Sequence, residues 1–385
     1  MDIICGVDFT EAGGEATQIA AQLALRLGDR LILAHAWEQV AGPDDGDTDL
    51  DAAAQARQAA QDELQTRATS LQTVGIDVVA HTLDGPSDRV LIDVADSMGP
   101  RLLVVGTSFK GGIKALFSGS IAEQVAQRAH YPVLIVSTQP GNMMQWSVSN
   151  RPLRVTLAMD GSGASESAIA WVKELRTRLA VDLSVVHFYF PPHEHRRLGL
   201  AADKDNVEDP SVVQTLLQEL DKRIGEMPGE GSFNKRVYAN WVSVAERLCK
   251  ELESHPADLL ILGAHQRSVF SRLGEDSVIM QMLHHTQTPI LCVPSGPPPS
   301  PAERRLPELQ TVLAAVDLAA DSQNAAAFYA YALLRGRGGK IHLCHIIGNE
   351  EHRALAEAAI AQMIPAQAAA YGINTEVHIV VGSSP

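Results

Sequence analysis

Short, almost unbroken apolar runs alternate along this chain with longer stretches whose apolar positions recur every three to four residues. Ile3-Ile4-Cys5-Gly6-Val7 ends at Asp8, and a small-residue turn leads into an Ala-rich stretch that predicts a helix over 15–27. Leu31-Ile32-Leu33-Ala34 then closes on His35. The same reading predicts a helix over 52–72, a strand over 77–82, a further helix, a strand over 101–106, a last helix and a strand over 132–136. Strands that alternate with helices imply βαβ units and a parallel sheet, and Val/Ile/Leu-rich strands imply helices on both faces.

The pattern recurs. Leu153 to Met159 ends at Asp160 and Thr311 to Val316 at Asp317, so the aspartates are 152 and 157 residues apart. The second strands end in His35, His187 and His345, and the strand 101–106 has its counterpart at 258–263. A fixed period of this size marks repeated folding units. Residues 139–152 join the first copy to the second, and the Pro-rich stretch 294–301 is a semi-rigid spacer before the third. The units span 1–138, 153–295 and 309–385.

Composition adds exclusions. The 385 residues carry 46 acidic against 31 basic side chains, a formal charge of −15, which argues against general nucleic-acid binding. No apolar run reaches membrane-spanning length, and no secretory leader pattern precedes the first strand, so no membrane partner and a cytoplasmic location are expected. Cys5, Cys249, Cys292 and Cys344 are far apart and form no Cys-x-x-Cys, so they read as reduced, buried thiols.

Candidate chemistry gathers at strand ends, where ligands of open parallel sheets bind. Gly106-Thr107-Ser108-Phe109-Lys110-Gly111-Gly112 and then Gly119-Ser120 before a helix offer close backbone approach, a helix N-terminus and a cation, the elements of a phosphate site. Turns and caps alone also use such glycines. The chain has no Walker A loop, Gly-x-Ser-x-Gly elbow or His-Glu-x-x-His, so no enzyme is indicated, and no metal site is expected. The acidic run 44–51 lacks the Gly and Glu of a calcium loop, and His193-Glu194-His195 reads as a surface loop. His284-His285 suits a helix C-terminus, and His35, His187 and His345 read as structural.

The repeated Asp-ended first strand, the His-ended second strand and Gly106-x2-Phe109-x9-Gly119-Ser120 resemble the universal stress protein family, whose motif is Gly-x2-Gly-x9-Gly-Ser/Thr. The resemblance covers two copies fully and half of the third. It implies an α/β fold of tandem Rossmann-like five-stranded parallel sheets, order 3-2-1-4-5, with domains paired through their fifth strands. It further implies an adenine nucleotide, ATP or AMP, with Mg2+ accompanying ATP. Asp8 would face the ribose and base, Ala36 would offer backbone to the base, and Gly106, Lys110, Gly119, Ser120 and Ile121 would hold phosphates. Phe109 departs from the motif. The second copy keeps only Gly263 and Ser277, with Gln266 and Asp276 in the other two places. A carboxylate ~4 Å from a phosphate is opposed by about 4 kcal/mol at an effective dielectric of 20, so that site reads as degenerate. The expected role is regulatory or stress-protective, with at most slow ATP hydrolysis. The alternative is a nucleotide-free scaffold. An intramolecular pseudo-dimer of the first two units is expected, and a homo-oligomer is compatible with the pattern. The third copy, without a phosphate loop, should bind no nucleotide and leave 311–317 as an apolar edge, although Val312, Leu313 and Val316 suit burial on both faces.

Overall fold

Alternation within the strands builds two cores at once. A computed structural model describes residues 1–38, 50–107, 121–138, 140–200, 208–264, 278–296, 311–316, 339–365 and 372–382, with Leu318, Ala327, Ala330, Tyr331, Leu334 and Ala368. It falls into two units, 1–298 and 299–385. In the first unit, β1 (Asp2–Gly6), β2 (Arg30–Trp37), β3 (Val78–Asp84), β4 (Leu102–Thr107) and β5 (Val133–Ser137) alternate with α1 (Glu11–Leu27), α2 (Leu50–Thr73), α3 (Ser87–Met98) and α4 (Ile121–Arg128). Ile3, Cys5, Leu31, Leu33 and Val104 point to one face and pack with Ile19, Leu23 and Leu64. Ile4, Ile32, Leu103 and Val105 point to the other and pack with Leu91 and Val125. Thr10 caps α1, its hydroxyl accepting the Gly13 N–H at 3.1 Å, and Gly28 ends it at φ 66°.

A short helix, α5 (Asn142–Ser147), follows. The expected linker is therefore a packed element. Its Trp146 is buried under the Arg26 guanidinium, 4.1 Å from the ring centroid, and Arg26 also donates to the carbonyls of Trp146, Ser147 and Ser149. The second half then repeats the first with β6 (Leu153–Met159), α6 (Gly163–Arg176), β7 (Val181–Tyr189), α7 (Pro191–Leu198), α8 (Pro210–Ile224), β8 (Phe233–Ala239), α9 (Val244–Ser254), β9 (Leu259–Ala264), α10 (Val278–His285) and β10 (Ile290–Pro294). His193-Glu194-His195 lies on α7 and not in a loop, because Pro191 and Pro192 start a helix there. His195 is buried 3.6 Å from Asp209, while His193 is exposed beside Glu194. His284 and His285 occupy the last turn of α10.

The two five-stranded sheets join through their fifth strands, as the resemblance implied, into one ten-stranded sheet, β3-β2-β1-β4-β5-β10-β9-β6-β7-β8. All neighbours are parallel except β5 and β10, which pair antiparallel with Ile135 opposite Ile290, Leu134 opposite Leu291 and Val133 opposite Cys292. Each fifth strand would otherwise be an apolar edge, and the junction removes both edges. Ser137 Oγ donates to the Gln287 carbonyl at 3.0 Å, and Arg101, which bonds Asp29 within its own half, also bonds Glu174 across the halves.

The second unit is a three-stranded parallel sheet, β11 (Thr311–Ala315), β12 (Gly339–Ile347) and β13 (Ile373–Val381), in that order. One 3-10 turn (Glu350–His352) and α11 (Arg353–Ala361) lie between β12 and β13. Ile341, Leu343, Leu334 and Ile360 form its core. Among the described residues β11 is an edge strand, as expected; its Val316 is buried, while Leu313, whose apolar side chain suits burial, is 71% exposed. Strand alternation puts it on the face opposite that core. Asp317 lies outside the described residues.

Candidate functional site

The sheet order reverses between β1 and β4, so their carboxyl ends open a crevice, with α1 leaving β1 toward one face. Asp8 stands at this point. Its Oδ1 accepts the Thr10 N–H at 3.0 Å and the Thr10 hydroxyl at 2.7 Å, and Oδ2 makes no bond among the described residues. A Cβ on Gly13 would lie 2.1 Å from Oδ1, so glycine there keeps room for the carboxylate. Between Asp8 and Thr10, Phe9 is held at φ 59°, the sole non-glycine residue in the left-handed region among those described. Its ring packs against His35, centroids 4.6 Å apart, with the Arg67 guanidinium 4.9 Å from its centroid.

His35 donates Nδ1–H to the Val7 carbonyl at 2.7 Å. His187 does the same to Met159 at 2.8 Å and His345 to Val316 at 2.7 Å. The three histidines thus tie the end of each second strand to the end of its first strand, a structural role as the sequence pattern suggested.

Ala36 follows His35 and pairs with Leu83 on β3. Gly106 pairs with Val136 beside the crevice. A Cβ at Gly106 would lie 2.7 Å from the carbonyl carbon and oxygen of Ala12 and 2.8 Å from Gly13 N, so close contact between β4 and α1 demands glycine. Ile121 opens α4 and is 45% exposed. Phe109, Lys110, Gly119 and Ser120 lie outside the described residues. Asp8, Ala36 and Gly106 therefore sit on strand ends of one sheet edge, with the first residue of α4 on the chain that follows β4.

The second half has the same frame with other side chains. Asp160 Oδ1 accepts from Ser162 N at 2.9 Å and Ser165 Oγ at 2.6 Å. Gly161 takes the left-handed position of Phe9, at φ 79°. Phe188 follows His187 where Ala36 follows His35, and stacks on Tyr238 with centroids 6.0 Å apart. A Cβ on Gly263 would lie 2.6–2.8 Å from Ala164 and Ser165, as one on Gly106 would from Ala12 and Gly13. A cavity of about 100 Å³ remains, lined by Asp160, Ser165, Phe188, Leu248, Gly263 and Ile279. Gln266, Asp276 and Ser277 lie outside the described residues. Phe9 and Phe188 were missed by motif reading, although aligning the halves on Asp8/Asp160 and His35/His187 exposes both exchanges.

The family model described as "Universal stress protein family" matches residues 1–137 and 153–294. A universal stress protein of Mycolicibacterium smegmatis is 23% identical over 222 residues, 58% of this chain and 70% of that protein. One from Mycobacterium tuberculosis is 29% identical over 136 residues, 34% of this chain and 44% of that protein. The crystal structure of a universal stress protein from Archaeoglobus fulgidus is 13% identical and covers 77% of this chain and 96% of its own, with a TM-score of 0.57, a likeness of fold.

Proposed function

The chain belongs to the universal stress protein family, and from that premise we propose that its first half binds an adenine nucleotide, ATP or AMP, in a regulatory or stress-protective role. The observation that carries this reading is the convergence of Asp8 and Gly106 at the reversal of strand order, with Ala36 on the neighbouring strand. Position 36 carries a methyl where the second half carries the Phe188 ring, so the first half presents the smaller side chain at the end of its second strand. One nucleotide per chain follows. In this reading Asp8 holds the ribose end through Oδ2, Ala36 offers backbone to the base, and the positive N-terminal end of α4 at Ile121 meets phosphate together with Lys110, Gly119 and Ser120.

Calorimetric titration of the full chain with ATP and with AMP tests the proposal. One site is expected, lost in Ala36→Phe and weakened in Gly13→Ala, where the new methyl displaces the Asp8 carboxylate. Saturation at two equivalents, or unaltered affinity in Ala36→Phe, overturns it. A second reading, a nucleotide-free scaffold, is favoured by Gly106 and Gly263, since packing against α1 and α6 explains both glycines without a ligand.

A further inference from the structure

On the second unit, the sheet face opposite the core carries a cluster no motif announced. His342 on β12 lies in register with Glu376 on β13, and His378, two residues further along the same strand, shares their face. His342 Nδ1 lies 2.7 Å from His378 Nε2 and 3.3 Å from Glu376 Oε2, and the third edge, His378 Nε2 to Glu376 Oε2, is 3.8 Å. The side chains are 25%, 41% and 47% exposed, so ions in solution reach them.

We propose that His342, Glu376 and His378 form a binding site for a divalent transition-metal ion of the zinc type, with two imidazoles and one carboxylate on two adjacent strands. Tetrahedral Zn2+ with bonds of ~2.0–2.1 Å separates neighbouring donor atoms by roughly 3.3 Å. The three observed edges bracket that length, so small side-chain rotations centre an ion. The two ring nitrogens 2.7 Å apart share an N–H···N hydrogen bond, whose proton a metal ion between them would displace. Lys340 Nζ binds the other carboxylate oxygen, Oε1, at 2.6 Å, and so turns Oε2 toward the histidines. Imidazole with carboxylate selects Zn2+, Co2+ or Ni2+ over Mg2+ or Ca2+. Among the described residues no fourth His, Cys, Asp or Glu joins the group, which leaves a coordination position for water or a ligand. The strands hold all three residues by continuous pairing from Gly339 with Ile373 to Ile347 with Val381, so the donors are positioned by rigid elements.

The test uses the full chain stripped with a chelator and titrated with Co2+, read by visible absorption, and with Zn2+, read by calorimetry. The wild type should bind one equivalent more than His378→Ala or Glu376→Gln, or bind it at least about tenfold more tightly, with unchanged far-UV circular dichroism. His342→Ala replaces either variant that fails to fold. The comparison subtracts weak binding by the other twelve of the chain's 14 histidines. Equal stoichiometry and affinity in wild type and variants, or no binding by the wild type, overturns the proposal.

Discussion

Gly106→Ala separates a packing glycine from a ligand-binding one. The added methyl would sit 2.7 Å from the Ala12 carbonyl carbon and oxygen and 2.8 Å from Gly13 N. Ordinary contacts begin near 3.4 Å, so about 0.7 Å must open between β4 and α1, and the obstacle is backbone, not the end of a flexible side chain. Ala12, Ala16 and Ala20, all buried, leave α1 no slack on this face. Overpacking of this kind costs about 1–3 kcal/mol, of which the loss of unfolded-chain entropy on replacing glycine returns about 0.5. A net loss of about 2 kcal/mol is expected, a fall of roughly 3 °C in Tm for a unit of this size. Gly263→Ala should lose as much, because its Cβ would meet Ala164 and Ser165 at 2.6–2.8 Å. Gly14→Ala, with nothing within 4 Å inside α1, is the control and should gain about 0.5–1 kcal/mol. Denaturant and thermal melts of the four proteins read the result. A Gly106→Ala protein with wild-type Tm and selectively lost ATP binding would refute the packing argument, since the glycine would then serve the ligand alone.

Asp258 is fully buried and accepts from Arg151 at 2.5 and 2.8 Å, from the Arg154 guanidinium at 2.8 Å and from the Arg154 N–H at 2.8 Å. Burial alone would raise its pKa, but these bonds outweigh burial and hold it below the usual carboxylate range, so its stabilisation is present above the unfolded pKa of ~3.9 and is lost as pH falls through the lower folded value. Asp258→Asn should cost about 3–5 kcal/mol at pH 7, seen by urea unfolding, and should flatten the acid limb of the stability profile below about pH 4; a loss under about 1 kcal/mol would contradict this. Cys5 and Cys292 are buried, and desolvation pushes both thiols up to about 12, so neither should react with a thiol reagent at pH 8 unless the protein is unfolded. Mass spectrometry of the native labelled protein checks this, and rapid modification of either cysteine would contradict it.

The strand runs were legible because burial on both faces leaves little but Val, Ile and Leu at 31–34, 102–105 and 259–262. Helix α5 was not. Six residues containing Asn142, two methionines and Trp146 carry no helical period, and what fixes them is Arg26, more than a hundred residues away in sequence. Joining the halves into one sheet was legible as an edge problem, since the runs 133–136 and 290–293 have no polar face to present to water. Leu313 is apolar yet exposed for the related reason that an apolar strand sequence states that both faces tolerate burial, not that both are covered.

The site was half legible, and the division has a physical cause. The aspartate, the histidine and the glycine near the end of the fourth strand recur in both halves because each serves the fold: a brace for the residue that caps the first helix, a latch between strand ends, a close helix–strand contact. Repetition therefore finds the frame and overstates the ligand. The residues that distinguish the halves are the ones that change between equivalent positions, Phe9 for Gly161 and Ala36 for Phe188. A left-handed backbone costs nothing at Gly161 and about 1 kcal/mol or more at Phe9, and that strain is held only because the ring packs on His35 and beneath Arg67. The first half thus carries its aromatic ring on the turn after β1 and keeps position 36 small, while the second carries its ring on β7, inside the cavity lining. The two halves share a frame and differ in the side chains beside its aspartates, so it is the Ala36→Phe titration, and not the shared fold, that decides whether the first half takes a nucleotide.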